Sequence, residues 1–358
     1  MLAYYCDTFV LPLPEKHRFP MAKYELLRKA IQTDHILSQK VRLELPPAAT
    51  DEQLTQVHDL DYLKSLKEGR LDPKIERRIG FPYSPGMLER SRRSVGATLA
   101  ACRAALKDGV AVNLAGGTHH AFADRGEGFC VFNDTAVALR TLQNAGDIER
   151  AVVIDTDVHQ GNGTAHILEN DESIFTFSIH GEKNFPFRKE RSDLDIGLPD
   201  GTEDDDYLTA LEGALKKMTR VPADFCIFQS GADPYHGDKL GRLSLTFEGL
   251  RKRDRMVLDW CRRRALPVAV TMGGERAMLF RNGTHMIDEV CFFADSEPTQ
   301  VWGRLEEGFE HWDQYKGDGG KLPENDPGVS GFIHFRNGVR ALYSGTKNTF
   351  ERYTLQLT

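Results

Sequence analysis

The chain has 358 residues, of which 40% are apolar and 28% charged, an ordinary composition for one large or two smaller globular domains. Its formal net charge of -7 argues against a broad electrostatic surface for nucleic acid, and no apolar run approaches the roughly 20 residues that span a bilayer. The N-terminus has no basic stretch followed by an apolar one, and the six scattered cysteines form no C-x-x-C pair. We therefore expect a cytoplasmic protein with reduced thiols, without a direct nucleic-acid or membrane partner.

Apolar runs that end in glycine-marked loops alternate with helical patterns through the first three quarters of the chain. The predicted strands are residues 2–6 (an edge or first strand), 41–45, 110–114, 151–154, 174–179, 193–198 (an edge), 223–229 and 267–272. The predicted helices are residues 23–33, 51–58, 61–68, 87–107, 136–143, 164–168, 204–218 and 245–264, the last with a basic, solvated outer face. This alternation predicts an α/β fold with a central parallel sheet and helices on both faces.

The strand at residues 151–154 leads directly into Asp155, Asp157 and His159. Alternate residues of a strand share a face, so the spacing predicts that Asp157 and His159 point at one ion. A carboxylate with an imidazole suits zinc, ferrous iron or manganese, although a lone D-x-H is more often a solvated strand end. Asp233 follows another predicted strand and completes a set of three ligands, which leaves positions open for water and substrate.

Two glycine-rich loops accompany this set. Gly116 and Gly117 precede the adjacent pair His119 and His120 beyond the strand at 110–114, where a pair of exposed loop histidines is the alternative. Phe129 lies in the second glycine-rich loop and lines a pocket or belongs to the core. A metal-bound water beside a histidine is suited to attack on a carbonyl carbon, so the sequence favours a hydrolase.

Five motifs resemble those of the zinc-dependent histone deacetylase family, which has the three-layer arginase-deacetylase fold. The motifs are most similar to those of its class IV and bacterial members. They are Gly116–His120, Gly128–Asp134, Asp155–Gly163, Gln229–Asp233 and Gly237–Gly241. The resemblance implies that Zn²⁺, or Fe²⁺ in the cell, is the catalytic metal and that K⁺ is a structural ion.

The same resemblance implies roles for single residues. The implied zinc ligands are Asp157, His159 and Asp233. His120 would be the general base and acid, His119 its electrostatic partner, and Asp155 the residue that orients His119. The implied potassium positions are Asp155, Asp157, His159, Ser178 and Ile179, and the implied substrate-channel residues are Gly128 and Phe129. Asn162 stands where many relatives carry an aspartate, and a neutral amide there should leave His120 less basic.

One position departs from the family pattern. The family carries a tyrosine in a G-G-G-Y loop after the last strand, and its hydroxyl polarises the substrate carbonyl. Here the loop reads Met272-Gly-Gly-Glu-Arg276-Ala277, without a tyrosine. Losing one oxyanion donor costs about 100- to 1,000-fold in rate, so the sequence predicts weakened activity, and Arg276 is a poor electrostatic replacement.

The sequence after this loop does not resemble a deacetylase terminus. We expect a catalytic domain at residues 1–275 and an atypical, fused α+β segment at 276–358, with a junction near Gly274. The segment resembles the C-terminal domain of Gfo/Idh/MocA-type dehydrogenases. Residues Asn282–Asp288 resemble the helix that carries the substrate histidine of that domain, with His285 as the histidine. Residues Gly331–Leu342 resemble one of its sheet strands, with a turn at Asn337-Gly338. No G-x-G-x-x-G fingerprint exists in the chain, which disfavours an oxidoreductase.

The predicted function is a zinc-dependent deacylase whose partner is an acylated lysine or a small acylated amine. The alternative from another class is a catalytically weak protein that binds metal or acyl-lysine. An arginase-like hydrolase with two manganese ions would need further carboxylates near His159, which Gln160 and Asn162 do not supply.

Overall fold

Eight stretches of apolar and β-branched residues form one sheet in which every pair of neighbouring strands is parallel. The structure, a computed structural model, describes residues 1–9, 11–14, 17, 19–34 and 37–273, and the backbone of four later strands. The strands of the large sheet are β1 (Leu2–Tyr4), β2 (Arg42–Glu44), β3 (Val110–Asn113), β4 (Ala151–Asp155), β5 (Ile174–Gly181), β6 (Leu194–Leu198), β7 (Phe225–Gly231) and β8 (Val268–Gly273). Their order is β2-β1-β3-β8-β7-β4-β5-β6.

Helices flank this sheet. They are α1 (Ala22–Thr33), α2 (Leu37–Lys40), α3 (Asp51–Leu54), α4 (Leu60–Lys67), α5 (Pro73–Ile79), α6 (Pro85–Asp108), α7 (Asp134–Ala145), α8 (Asn162–Leu168), α9 (Asp204–Met218) and α10 (Phe247–Arg263). The predicted α/β fold with a central parallel sheet flanked by helices is confirmed. Strand β6 lies at the sheet edge as expected, whereas β1 pairs on both sides and is therefore not an edge strand.

The longest helix, α6, shows how local sequence sets these bounds. The Ser84 side chain accepts a hydrogen bond from the Met87 amide, and Pro85 occupies the first helical turn, where a missing N–H costs nothing. Gly109 ends the helix with φ 84°, a conformation that glycine adopts without strain. Alanines and Leu99 on α6 pack with α7 and the central strands in one buried apolar cluster. This packing holds α6 and α7 against the central strands, whose C-terminal ends lead into the loops described below.

The chain divides into two compact units, one formed by Met1–Arg28 with Arg42–Ala277 and one by Lys29–Val41 with Met278–Thr358. The described part of the C-terminal segment is an antiparallel four-stranded sheet, whose order is β12-β11-β10-β9. Its strands are β9 (Pro298–Leu305), β10 (Val329–Phe335), β11 (Arg340–Gly345) and β12 (Tyr353–Leu357). The predicted boundary at 275–276, the junction near Gly274, the 282–288 match and the Asn337-Gly338 turn lie outside the described residues and stay predictions. Among the described residues, none of the helices has the length and apolar character needed to cross a membrane.

A buried histidine links the α3–α4 region to the start of α7 and gives a prediction on stability. His58 Nε2 accepts from the Asn133 amide at 3.0 Å, and Nδ1 donates to the Ala123 carbonyl at 3.3 Å. Burial lowers the pKa of His58 to about 4, below the ordinary value of 6.5, so the folded protein holds it neutral. The unfolded chain takes up a proton first as pH falls from 6.5 to 4, and the free energy of unfolding decreases by at most about 1.4 kcal/mol per pH unit from this group.

We expect His58→Gln to be less stable at pH 7.5 but to lose less stability than the native chain between pH 6.5 and 4.5. Urea unfolding at several pH values measures this difference, because subtracting the two curves removes the contribution of the other histidines. His236→Gln, at an exposed histidine, is the control and should follow the native curve. Parallel curves for His58→Gln and the native chain would contradict a neutral buried His58.

Candidate active site

The residues directly after β4 form a tight loop and do not continue the strand. Asp155 is the last residue of β4, and Asp157 and His159 lie beyond it. The prediction that they share a strand face was therefore wrong. Their side chains converge because Asp155 Oδ1 accepts from the Asp157 amide and Asp157 Oδ1 accepts from the His159 amide, both at 3.0 Å. Each carboxylate thus holds the backbone two residues further on.

Asp233 lies just beyond the neighbouring strand β7 and contacts this loop. Its Oδ1 accepts from the Val158 amide at 2.9 Å, while Oδ2 lies 3.1 Å from His159 Nδ1. The same nitrogen lies 3.0 Å from Asp157 Oδ1. One donor atom from each of Asp157, His159 and Asp233 lies within 4.8 Å of the others. The structure therefore brings together the three residues that the sequence predicted as metal ligands.

The charges of this triad depend on one another. Burial raises the pKa of Asp233 to about 6, and the negative charge of Asp157 adds to the rise. Burial also acts on Asp157, but the hydrogen bond from His159 and the charges of His119 and His159 outweigh it and lower its pKa. Burial opposes the charged form of His159, yet its bonds to both carboxylates raise its pKa to about 10. In the structure the charged His159 offsets the two buried carboxylates, and a divalent metal ion bound by the three residues would supply positive charge in its place.

The donor set fits a catalytic metal ion. Ligand distances of about 2.0 to 2.2 Å in a tetrahedral shell place neighbouring donor atoms roughly 3.3 Å apart, close to the separations of the His159 nitrogen from the two carboxylates. Three protein ligands leave a coordination position for water or substrate. Space for Asp157 depends on Gly231, because a Cβ at that position would lie 2.5 Å from the Asp157 Cα. A side chain at residue 231 would displace one ligand.

His119 and His120 lie beside the triad, and each ring nitrogen Nδ1 has a different partner. His119 Nδ1 contacts Asp155 Oδ2 at 2.6 Å, and His120 Nδ1 contacts Asn162 Oδ1 at 2.6 Å. The two ring centroids are 4.1 Å apart. His119 is 3% exposed and His120 5%, so neither is the exposed loop histidine of the alternative interpretation.

The two partners give the two histidines opposite charge states. Burial disfavours the charged form of His119, but the charge and the hydrogen bond of Asp155 outweigh it and raise its pKa to about 9. Burial lowers the pKa of His120 well below its ordinary value, and the charge of His119 lowers it further. The hydrogen bond to the neutral Asn162 favours the charged form but does not outweigh these effects. At neutral pH, His119 is charged and His120 is neutral.

A buried aspartate that sequence analysis assigned no role holds the histidine loop. Asp134 begins α7, is fully buried, and accepts from the amides of Gly117 and Thr118 at 3.0 and 2.8 Å. The hydroxyls of Thr98 and Thr118 also donate to it. Asp134 thereby fixes the chain directly before His119. Its position in the Gly128–Asp134 motif was the available signal.

A glycine and one aromatic ring contact His120, and a second aromatic residue lies in the same glycine-rich loop. Gly128 touches His120, since a Cβ at residue 128 would lie 2.6 Å from His120 Cδ2. Phe129 is half-buried, and its ring packs with Phe19 and Phe81 at centroid distances of 5.1 and 5.2 Å. Phe185, which the sequence placed only in a loop, packs edge-on against His120 at 5.0 Å. Lining of a substrate channel by Gly128 and Phe129 stays a prediction.

Arg253 overturns part of the prediction for α10. The sequence placed it on a basic, solvated face, but it is 1% exposed. Its guanidinium donates to the Gly231 carbonyl at 2.6 Å and to the Thr156 carbonyl at 3.3 Å. A buried arginine therefore ties together the two loops that carry the triad, and composition alone gave no signal for it.

The remaining predicted positions fall into two groups. Ser178 on β5 pairs in register with Asp155, so two of the potassium positions are neighbours in the sheet, and Ile179 follows directly. Arg276 and the loop in which the family carries a tyrosine lie outside the described residues.

The fold and site together define an α/β protein in which two buried carboxylates and a partly buried imidazole form a triad at adjacent strand ends. The histone deacetylase domain model matches residues 17–277. An uncharacterised protein of Picosynechococcus sp. is 45% identical over 273 residues, which cover 75% of this chain and 90% of that protein. Histone deacetylase 2 of Arabidopsis thaliana is 31% identical over 279 residues, 75% of this chain and 72% of that protein.

A solved structure agrees with these sequence comparisons. The crystal structure of an HDAC homologue from Aquifex aeolicus superposes with a TM-score of 0.68 at 26% identity, covering 83% of this chain and 84% of that chain. The chain belongs to the histone deacetylase family.

Proposed function

We propose that this protein is a metal-dependent deacylase that hydrolyses the amide bond of an acylated lysine or a related acylated amine. The observation that carries the proposal is the pairing of a buried ligand triad with two histidines of opposite charge state. Family membership and the name of the Arabidopsis relative support it.

Asp157, His159 and Asp233 would hold the metal, for which Zn²⁺ is the leading candidate and Fe²⁺ the alternative in the cell. When bound, such an ion supplies Lewis-acid polarisation of the carbonyl and a lower pKa for water. A structural K⁺ near Asp155 and Ser178 is a further part of the proposal.

The two histidines have different roles in the proposed reaction. His120 donates its Nδ1–H to Asn162, which leaves Nε2 unprotonated and able to accept a proton from the attacking water. The same nitrogen returns the proton to the leaving amine. His119 is already protonated at neutral pH, so it contributes positive charge rather than basicity, and Asp155 fixes its orientation.

The absent tyrosine sets the expected rate. Without its hydroxyl, stabilisation of the oxyanion is reduced, and we propose turnover about 100- to 1,000-fold below that of a tyrosine-bearing site. Asn162 in place of an aspartate supports a position near class IV and bacterial members. If turnover is negligible, the protein is instead a metal- or acyl-lysine-binding member of the family.

We further propose that residues 276–358 are an appended segment related to the C-terminal domain of Gfo/Idh/MocA-type dehydrogenases. Two observations support an appended segment: the family match ends at residue 277, and the described strands of the segment form their own antiparallel sheet. The dehydrogenase relationship rests on the sequence resemblance alone. An experimental structure in which these residues form a conventional deacetylase terminus would refute it.

The test of the proposed function is hydrolysis of acetyl-lysine and trifluoroacetyl-lysine peptides by the zinc-loaded protein, with Arg276→Tyr assayed beside it. Trifluoroacetyl is the more electrophilic acyl group and depends less on an oxyanion donor. We expect turnover of the trifluoroacetyl peptide and a higher rate on the acetyl peptide after Arg276→Tyr. Absence of turnover on both peptides, with one zinc ion bound per chain, would refute the deacylase and favour the binding protein.

A further inference from the structure

An almost fully exposed phenylalanine lies two residues from a ring that touches His120. Phe187 is 90% exposed, whereas Phe185 is half-buried and packs against His120 at 5.0 Å. Two residues of extended chain span at most about 7 Å, so the backbone of Phe187 lies within about 7 Å of that of Phe185, next to the candidate active site. Both residues belong to the loop that connects β5 to β6.

This loop is held in place by hydrogen bonds, so the exposed ring has a fixed base. Lys189 Nζ donates to the carbonyls of Asn184 and Pro186 at 2.5 and 2.7 Å. The buried Asn184 side chain donates to the Leu240 carbonyl at 2.7 Å and accepts from the Arg242 amide at 3.1 Å. A preformed loop loses little conformational entropy when a ligand contacts it, which favours its use in recognition.

The burial of the catalytic groups decides which part of a substrate can reach Phe187. Because both histidines of the site are at most 5% exposed, only the acylated amine end of a substrate enters, and the rest remains at the rim. Lys183 and Arg188 are exposed on the same loop. The exposed Glu182 on the same loop offsets part of this charge, so the charges alone do not separate the two kinds of substrate. The aromatic ring does, because an apolar side chain would cover it, whereas the charged chain of a polyamine would not.

We propose that Phe187 is a specificity residue that contacts an apolar side chain next to the acylated lysine, so the substrate class is an acyl-lysine peptide rather than an acylated polyamine. This inference rests on the proposed deacylase function and adds a sequence preference to it. A small acylated amine has no atoms that reach Phe187 and gains nothing from it.

The experiment compares two trifluoroacetyl-lysine peptides that differ only in a leucine or a glycine beside the modified lysine. For the native zinc-loaded protein we expect a KM about 5- to 10-fold lower for the leucine peptide, the effect of burying part of one apolar side chain. Phe187→Ala should remove this preference by raising KM for the leucine peptide, and Phe187→Leu should restore part of it. N¹-trifluoroacetylspermidine should be the poorer substrate.

The control removes an equally apolar side chain elsewhere. Leu45 is 51% exposed and directly follows β2, which lies at the opposite edge of the sheet from β6, roughly 34 Å away across seven strand spacings. Leu45→Ala should keep the full preference for the leucine peptide. If Phe187→Ala keeps that preference too, or the native protein shows none, the inference is wrong.

Failure of the proposed function gives a different result. If the native protein hydrolyses neither peptide, the deacylase proposal fails. The inference is then judged from the dissociation constants of the two fluorescein-labelled peptides on the zinc-loaded protein, where loss of the leucine preference in Phe187→Ala still supports it and an unchanged ratio overturns it.

Discussion

Replacing His120 with alanine is expected to lower kcat/KM on the trifluoroacetyl peptide by about 100- to 10,000-fold, the usual contribution of a positioned general base. Bound zinc should stay at one ion per chain, because His120 is not part of the ligand triad. The loss therefore falls on proton transfer rather than on the metal. Steady-state kinetics together with metal analysis of the same preparation measure both quantities.

The size of this loss follows from the charge states of the two histidines. His119, with a pKa of about 9, already carries a proton at neutral pH and has no lone pair for a second one. His120 is neutral because burial lowers its pKa, and its Nδ1–H is donated to Asn162. On the proposed mechanism His120 is thus the base among the described residues of the site, and His119 should not replace it.

His166→Ala is the matched control, since His166 lies on α8 with its side chain 52% exposed. Its replacement should leave kcat/KM within about twofold, as for most surface substitutions. Asn162→Asp adds the carboxylate that His119 already has and should raise the pKa of His120. Retention of more than a tenth of the activity by His120→Ala would contradict its role as the base.

Sequence periodicity predicted the sheet well because buried strands and amphipathic helices leave strong local patterns. The buried run Ala151–Ile154 and the capped helix α6 are examples, and both lie within a residue or two of their predicted bounds. Helix α5 was not predicted, since a seven-residue helix with four charged residues has little apolar periodicity.

Residue type and strand position predicted which residues come together at the candidate site, but not the contacts that bring them together. Asp157 and His159 converge through hydrogen bonds in a loop rather than through strand alternation. The roles of Asp134, Phe185 and Arg253 depend on contacts with residues distant in sequence, such as that between Arg253 and Gly231. Local patterns carry no information on such contacts, so these residues became visible only in the folded chain.

Replacing Asp233 with asparagine is expected to leave the metal-free protein about as stable as the native one, yet to remove most of its stabilisation by zinc. In the metal-free protein, Asp233 is buried beside the negative charge of Asp157, which raises its pKa to about 6. The raised pKa shows that burial and the repulsion from Asp157 outweigh the attraction of His159. A neutral amide of the same shape removes all three effects together and can still accept the Val158 amide bond. We expect the free energy of unfolding to change by less than about 1 kcal/mol.

On the proposed assignment zinc binds the folded triad and not the unfolded chain, so zinc should distinguish the two proteins. At a zinc concentration 100 times the native dissociation constant, the native protein gains about 2.7 kcal/mol of stability. Loss of one of three ligands should weaken zinc binding by at least about 100-fold, which is more than the loss of a supporting residue outside the ligand set costs. At the same zinc concentration, the stabilisation of Asp233→Asn by zinc then falls to about 0.4 kcal/mol. Asp205→Asn, at an exposed aspartate in the first turn of α9, is the control and should keep the native gain. Thermal unfolding with and without zinc measures the difference, and an equal zinc-induced shift in native and Asp233→Asn protein would mean that the metal binds elsewhere.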